Sequence, residues 1–335
     1  MNNPVLVEIL RGAVVESRHR GAAVVMDAEG RTVLSFGDVA RPVFPRSAVK
    51  AFQALPLIES GAADRYGLTE AEIALAVASH SGQPGHAETA AGVLAKAGRD
   101  EGCLECGWHW PLNEEAGRDL ARAGRRPSAL HNNCSGKHAG FVCLACHLGE
   151  DPAGYVRPDH RVQREVKAAM EAITGAAHAD ETAGVDGCSI PTYGIPLTAM
   201  AMGFARLATG VGLEADRAAA AARIRAAAAA HPWNVAGAGR FDTVLMSEFG
   251  RRIFCKTGAE GVYCAALPDE GLGVALKADD GGTRASETIL ANILARVMAL
   301  SDDERSRLEP HTARVLKNWN SVEVGTVRAA GALAG

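Results

Sequence analysis

The sequence predicts an α+β fold: an antiparallel sheet built from both chain ends, with packed helices and a mainly helical region inserted between. Three observations carry this reading. Short apolar runs of strand character fill the first 45 residues, helical periodicity dominates from about residue 47 to 230, and strand-like runs return from residue 243.

Strands are expected over 4–10, 13–17, 22–26 and 32–37, the last two joined by an Asp27-Ala-Glu-Gly30 turn. Helices follow. Thr69 and Glu72 have the spacing of a capping box, and apolar residues recur at helical intervals over 87–97, 136–148, 161–173 and 197–208. Strands are expected again over 243–247, 253–257, 262–267 and 273–277, then a closing helix over 284–300. No linker or repeat divides the chain. A single domain is therefore expected, with its sheet region at about 1–45 and 240–335 and its mainly helical region at about 46–239.

Composition points to a globular enzyme. The chain has 335 residues, 47% of them hydrophobic and 22% charged, with a net charge of −4. Nothing basic points to nucleic acid, and no stretch approaches the roughly 20 apolar residues that cross a membrane. The first ten residues lack a basic start and Glu8 breaks their apolar run, so they are expected to form a strand and not a signal peptide. A cytoplasmic location follows as an expectation, and with it eight cysteines that are reduced thiols or metal ligands.

Two short motifs carry chemistry. Ser47 and Lys50 form an S-x-x-K pair at an expected helix start, where just under one turn brings a lysine amine beside a serine hydroxyl. About two hundred residues later Lys256-Thr-Gly258 follows a strand-like run, the context in which S-x-x-K hydrolases carry that triplet. The choice of cation adds weight. Only 7 of the 35 basic residues are lysine, so this chain uses arginine wherever any positive charge will serve. Arginine keeps its proton, whereas a desolvated lysine can lose one and act as a base. Lys50, Lys137 and Lys256 sit in motifs; Lys96, Lys167, Lys277 and Lys317 read as surface positions.

The order of these motifs resembles the serine β-lactamase and penicillin-binding-protein superfamily, whose third motif, S-x-N, departs here to Ser79-His80-Ser81. Three central blocks narrow the resemblance. Ala78-Ser-His-Ser-Gly82 with His86, His131-Asn-Asn-Cys-Ser-Gly-Lys-His-Ala-Gly140, and Val185-Asp-Gly-Cys-Ser-Ile-Pro-Thr-Tyr-Gly-Ile-Pro-Leu197 are similar to the Rhizobium-type L-asparaginases, the class 3 or asparaginase II family. The chain departs from that pattern at Gln83, where the family more often has Glu, and at Ser189, where it more often has Gly.

The resemblance implies a serine β-lactamase-like fold and two serine–lysine pairs, Ser47 with Lys50 and Ser79 with Lys256. It implies a zinc ion on Cys134, Lys137 and Cys188, and a homodimer. The expected reaction is hydrolysis of the side-chain amide of L-asparagine to aspartate and ammonia, with Ser47 or Ser79 as nucleophile and lysine as base. Such a substrate carries its own charges, for which Arg46, His80, Asn133, His138 and Asp186 are the candidate contacts. Two other readings stay open: a different S-x-x-K hydrolase such as a β-lactamase or peptidase, and a non-catalytic zinc or redox module. Cys143-Leu-Ala-Cys146-His147 fits the haem-attachment pattern by letter, but lies in an apolar helix of a chain without an export signal, and reads as core thiols.

Overall fold

A computed structural model describes residues 3–335. The chain divides into two compact units. One comprises Met1–Ala48, Ile195–Thr209 and Cys255–Gly335; the other comprises Val49–Gly194 and Gly210–Phe254.

The first unit holds the sheet. Its strands are β1 (Val5–Arg11), β2 (Val14–Asp27), β3 (Thr32–Phe36) and the short β4 (Pro42–Val43); β5 (Ala183–Val185) and β6 (Pro191–Tyr193) belong to the other unit; β7 (Ile195–Pro196), β8 (Phe254–Gly258), β9 (Val262–Leu267), β10 (Leu272–Ala278), β11 (Ala313–Lys317) and β12 (Glu323–Ala329) follow. The order is β11-β12-β1-β2-β10-β9-β8, with β3 on β2, and the strands from β11 through to β9, with β3, pair antiparallel. Val7 pairs with Ala329, so both chain ends do build one sheet.

The expected breaks between strands differ in one place. Residues 13–17 and 22–26 are one continuous strand of 14 residues. Gly21 passes at its centre, where a Cβ would lie 2.6 Å from the Lys277 carbonyl oxygen, so the residue that looks like punctuation is there for close strand approach. Every residue of β9 is buried, which means that both faces of the sheet are covered at that point. The helices Leu197–Thr209 and Thr283–Val297 pack there. Gly273 of β10 admits the first of them, since a Cβ would fall 2.0 Å from the Ala201 carbonyl oxygen.

The second unit is helical. Its centre is the helix Ser135–His147, buried from Ser135 through Ala145 on all sides. The helices Glu70–Ala76 and Pro84–Lys96 pack on it, and a Cβ on Gly136 would lie 2.3 Å from the Leu75 carbonyl oxygen. Thr69 and Glu72 form the expected capping box. Residues 243–247 do not form the expected strand: they lie in the helix Phe241–Phe249. Thr243 and Val244 favour a strand locally, but burial of Phe241, Leu245, Met246 and Phe249 on one helix face decides the conformation.

Candidate active site

Three lysines are buried, and they are the three that lie in motifs: Lys50, Lys137 and Lys256. Taking an ammonium out of water costs several kcal/mol, so each must be met by acceptors. Lys50 Nζ lies 2.5 Å from the Ala78 carbonyl oxygen, 3.1 Å from Ser79 Oγ and 3.0 Å from Cys134 Sγ. Three acceptors saturate the three N–H groups of an ammonium. A neutral amine would keep two of these bonds and turn its lone pair toward the Ser79 hydroxyl. The contact of Lys50 is thus with Ser79, a pairing that the resemblance did not imply.

Local geometry fixes the partners of Lys50. Ser79 follows the helix Glu70–Ala76, and its N–H is held by the Val235 carbonyl at 2.9 Å. Cys134 stands immediately before the central helix, its N–H bonded to Asn132 Oδ1 at 2.8 Å and its sulfur 3.1 Å from Asn133 Oδ1. Lys137, within the first turn, donates to Cys188 Sγ at 3.1 Å. Cys188 sits in the turn between β5 and β6, where Asp186 Oδ2 lies 3.8 Å from its sulfur.

The two thiols share the charge unequally. The Cys188 thiol donates to Cys134 and, with Lys50 and Lys137 nearby, holds the Cys134 thiol far below its ordinary range. Cys188 moves up correspondingly, since it carries the shared proton and is buried. Burial pulls the Lys137 ammonium down, but Cys188, Cys134 and Asp186 outweigh it and leave the group raised. Opposite charges in a dry pocket keep each other ionised.

The candidate histidines separate into two kinds. His80 Nδ1 accepts the Gly82 N–H at 3.1 Å and its Nε2 lies 2.9 Å from Ser135 Oγ, which itself donates to the Leu130 carbonyl. Both ring nitrogens are occupied by the protein's own groups. His138 is different. Tyr155 Oη accepts the Glu105 N–H and lies 2.6 Å from His138 Nδ1, while the buried Nε2 has no hydrogen-bond partner among the described residues. Burial holds both imidazoles well below their ordinary range, so both are neutral.

The first unit carries the remaining site residues. Arg46–Val49 is a 3₁₀ turn, and Arg46 has φ +51°, the left-handed region that a residue with a Cβ enters at a cost of about 1–2 kcal/mol. Ser47 is therefore presented by a strained residue. Gly258 ends β8 against this turn: a Cβ there would lie 2.7 Å from the Pro45 carbonyl oxygen and 3.2 Å from the Ala48 nitrogen. The glycine of Lys-Thr-Gly is what brings the strand backbone onto the Ser47 turn. Lys256, two residues earlier, is fully buried and donates to the Thr257 carbonyl at 2.8 Å.

Asp186 Oδ1 accepts the Gly187 N–H at 2.8 Å, and Asn133 gives its carbonyl to the His80 N–H and its N–H to His109 Nε2. His109 and Tyr155 were not marked by the sequence reading. Both touch the candidate residues from irregular segments, where neither period nor spacing gives a signal. Of the haem-like letters, Cys143 is a core thiol, bonded to the Val93 carbonyl at 3.5 Å and pushed up to about 12 by burial.

A search of the curated protein sequences finds no match. Among solved structures the chain is similar to a β-lactamase from Mycobacterium bovis at 16% identity, over 83% of this chain and 94% of that one, with a TM-score of 0.41. It is also similar to Mglu at 15% identity, over 84% of this chain and 69% of that one, and to Mglu in its native form at 16%, over 85% and 66%, both with a TM-score of 0.38. Likeness at this level carries no argument about function. The sequence does: the family described as L-asparaginase II matches residues 7–329, nearly the whole chain, and the protein belongs to the L-asparaginase II family.

Proposed function

We propose that this asparaginase hydrolyses the side-chain amide of L-asparagine through a serine nucleophile activated by a buried lysine. Ser47 is assigned the attack on the amide carbonyl, which expels ammonia and leaves an aspartyl ester that water releases. Lys50 is assigned the proton transfers, with Ser79 as its bonded relay. The observation that carries the reading is the Lys50–Ser79 contact at 3.1 Å between two buried side chains from distant blocks of sequence. His138 Nε2, buried and without a partner among the described residues, supports a role for this ring toward the substrate, as do Arg46, Asn133 and Asp186 by their half-buried places beside the motifs. His80 fits a supporting role better, because its ring nitrogens are taken.

Cys134, Lys137 and Cys188 would hold a zinc ion. Two adjacent thiols and an amine are a donor set suited to that metal, with Asp186 behind Cys188. Lys137 as the third donor is what the family resemblance implies, and its Nζ at 3.1 Å from Cys188 Sγ supports it. A zinc ion held there would supply Lewis acidity, and Lys137 and Cys188 would have to give up their protons to hold it. The eight free cysteines support a reducing, cytoplasmic setting.

Ammonia release from L-asparagine by wild type, Ser47→Ala and Ser79→Ala tests the nucleophile, with glutamine and a chromogenic β-lactam alongside. Wild-type turnover that falls by at least about 10³-fold in Ser47→Ala supports the assignment. Loss in Ser79→Ala alone would transfer the nucleophile to Ser79, and turnover of the β-lactam alone would sink the asparaginase mechanism. A homodimer is part of the same proposal, supported by Val315, Trp319 and Val322, exposed on the β11–β12 hairpin at one sheet edge. Light scattering should give twice the 34.9 kDa chain mass, and Trp319→Glu should halve it.

A further inference from the structure

The segment between Leu104 and Asn113 has no regular secondary structure, yet it is fastened to both motif loops of the helical unit. Asn132 Nδ2 donates to the Cys106 carbonyl at 2.9 Å and the Gly107 carbonyl at 3.2 Å. At the far end the Asn113 N–H is bonded to the Ser81 carbonyl at 2.9 Å, and Pro111 lies against Gly82, where a Cβ would be 3.0 Å from its Cα. Between these anchors stands His109, flanked by Trp108 and Trp110, whose side chains are exposed.

The ring of His109 has a defined hydrogen-bond sense. Its Nδ1 lies 2.7 Å from the Trp110 carbonyl oxygen, which can only accept, so Nδ1 carries the proton. Its Nε2 then has a free lone pair, and it accepts the Asn133 N–H at 2.9 Å. The peptide it holds matters. The Asn133 carbonyl accepts the His80 N–H at 3.2 Å, its side-chain Oδ1 lies 3.1 Å from Cys134 Sγ, and Cys134 accepts from Lys50. One imidazole thus fixes the backbone that presents both a candidate substrate contact and a partner of the catalytic lysine.

We propose that His109 is a positioning residue for the asparaginase reaction, clipping the 104–113 segment to Asn133 through the acceptor nitrogen of its ring. The proposal rests on the asparaginase mechanism above. Its test uses three variants of the full chain. His109→Gln puts an amide oxygen where Nε2 stands and keeps the bond; His109→Asn reaches only the position of Nδ1 and loses it; His109→Ala loses both.

Two readouts are taken. Steady-state kcat/KM for asparagine should fall about tenfold in His109→Ala and His109→Asn and stay within about threefold of wild type in His109→Gln. Acrylamide quenching of tryptophan, in a Trp319→Phe background that removes the exposed hairpin signal, should rise in the first two and not in the third. Equal impairment of all three variants overturns the proposal, because the bond is then not the cause, and so does wild-type behaviour of His109→Ala. Should wild type release no ammonia from asparagine, the mechanism fails by itself, and the quenching pattern still decides whether the clip exists. If His109→Ala or His109→Asn does not fold, the other is compared with His109→Gln; failure of His109→Gln to fold overturns the proposal, because an amide oxygen at the place of Nε2 should keep the clip.

Discussion

Ser189 shows what one residue can cost. It has φ +76° in the turn joining β5 to β6, with its N–H on the Asp186 carbonyl at 2.9 Å and the Asp186 N–H on the Ile190 carbonyl at 2.8 Å. The resemblance noted that glycine is commoner at this position, and the geometry supplies the reason: a left-handed residue bearing a Cβ is strained. Ser189→Gly should relieve that strain by about 1–2 kcal/mol and give back part of it through the freer unfolded chain, a net gain of about 0.5–1 kcal/mol in urea unfolding. A loss of stability would mean that the serine side chain makes a contact worth more than the strain. That the motif lysines stand apart from the other four was legible at this scale, since they are the buried ones. Their partners were not. Lys50 meets Ser79 across 29 positions of sequence, and no local spacing encodes that contact.

Elements reveal why some boundaries could be read and others not. β9 spans Val262–Leu267, the same bounds that its apolar run suggests, because a fully buried strand needs nothing but apolar side chains. The helix Phe241–Phe249 was missed because its strand-favouring residues are local and its helical face is defined by tertiary burial. The central helix depends on a residue with no side chain. Gly136 lies between Ser135 and Lys137, and a Cβ would fall 2.3 Å from the Leu75 carbonyl oxygen and 2.4 Å from Leu75 Cγ. Neither can move without shifting the helix Glu70–Ala76, which leads into Ser79. Gly136→Ala should therefore cost about 2 kcal/mol or more of stability and reduce turnover in the fraction that stays folded. Wild-type activity and Tm in that variant would show that the two helices can part without disturbing the site.

The whole molecule should be acid-labile for a reason set by its site. His80, His86 and His138 are buried, and burial holds all three below their ordinary range, His86 down to about 4. Unfolded, each takes up a proton near 6.5, which the folded state refuses. Stability is accordingly full above about pH 6.5 and declines as the pH falls toward 4, with unfolding at pH 5 taking up about three protons through these rings. Urea midpoints measured from pH 8 to pH 4.5 check the sign; a flat profile would mean that the histidines are solvated. The division into units was only partly legible. The helix Leu197–Thr209 joins the sheet unit although it lies far inside the stretch read as helical, because Gly273 makes room for it on β10.

Seven lysines, of which three are withdrawn from water, give the protein a built-in chemical map. A reagent that acylates amines has access to Lys96, Lys167, Lys277 and Lys317, which are all at least partly exposed, while Lys50, Lys137 and Lys256 are shielded by the native fold. Labelling of those three then measures how often the site opens, residue by residue, and mass spectrometry can follow that breathing without any substrate being present.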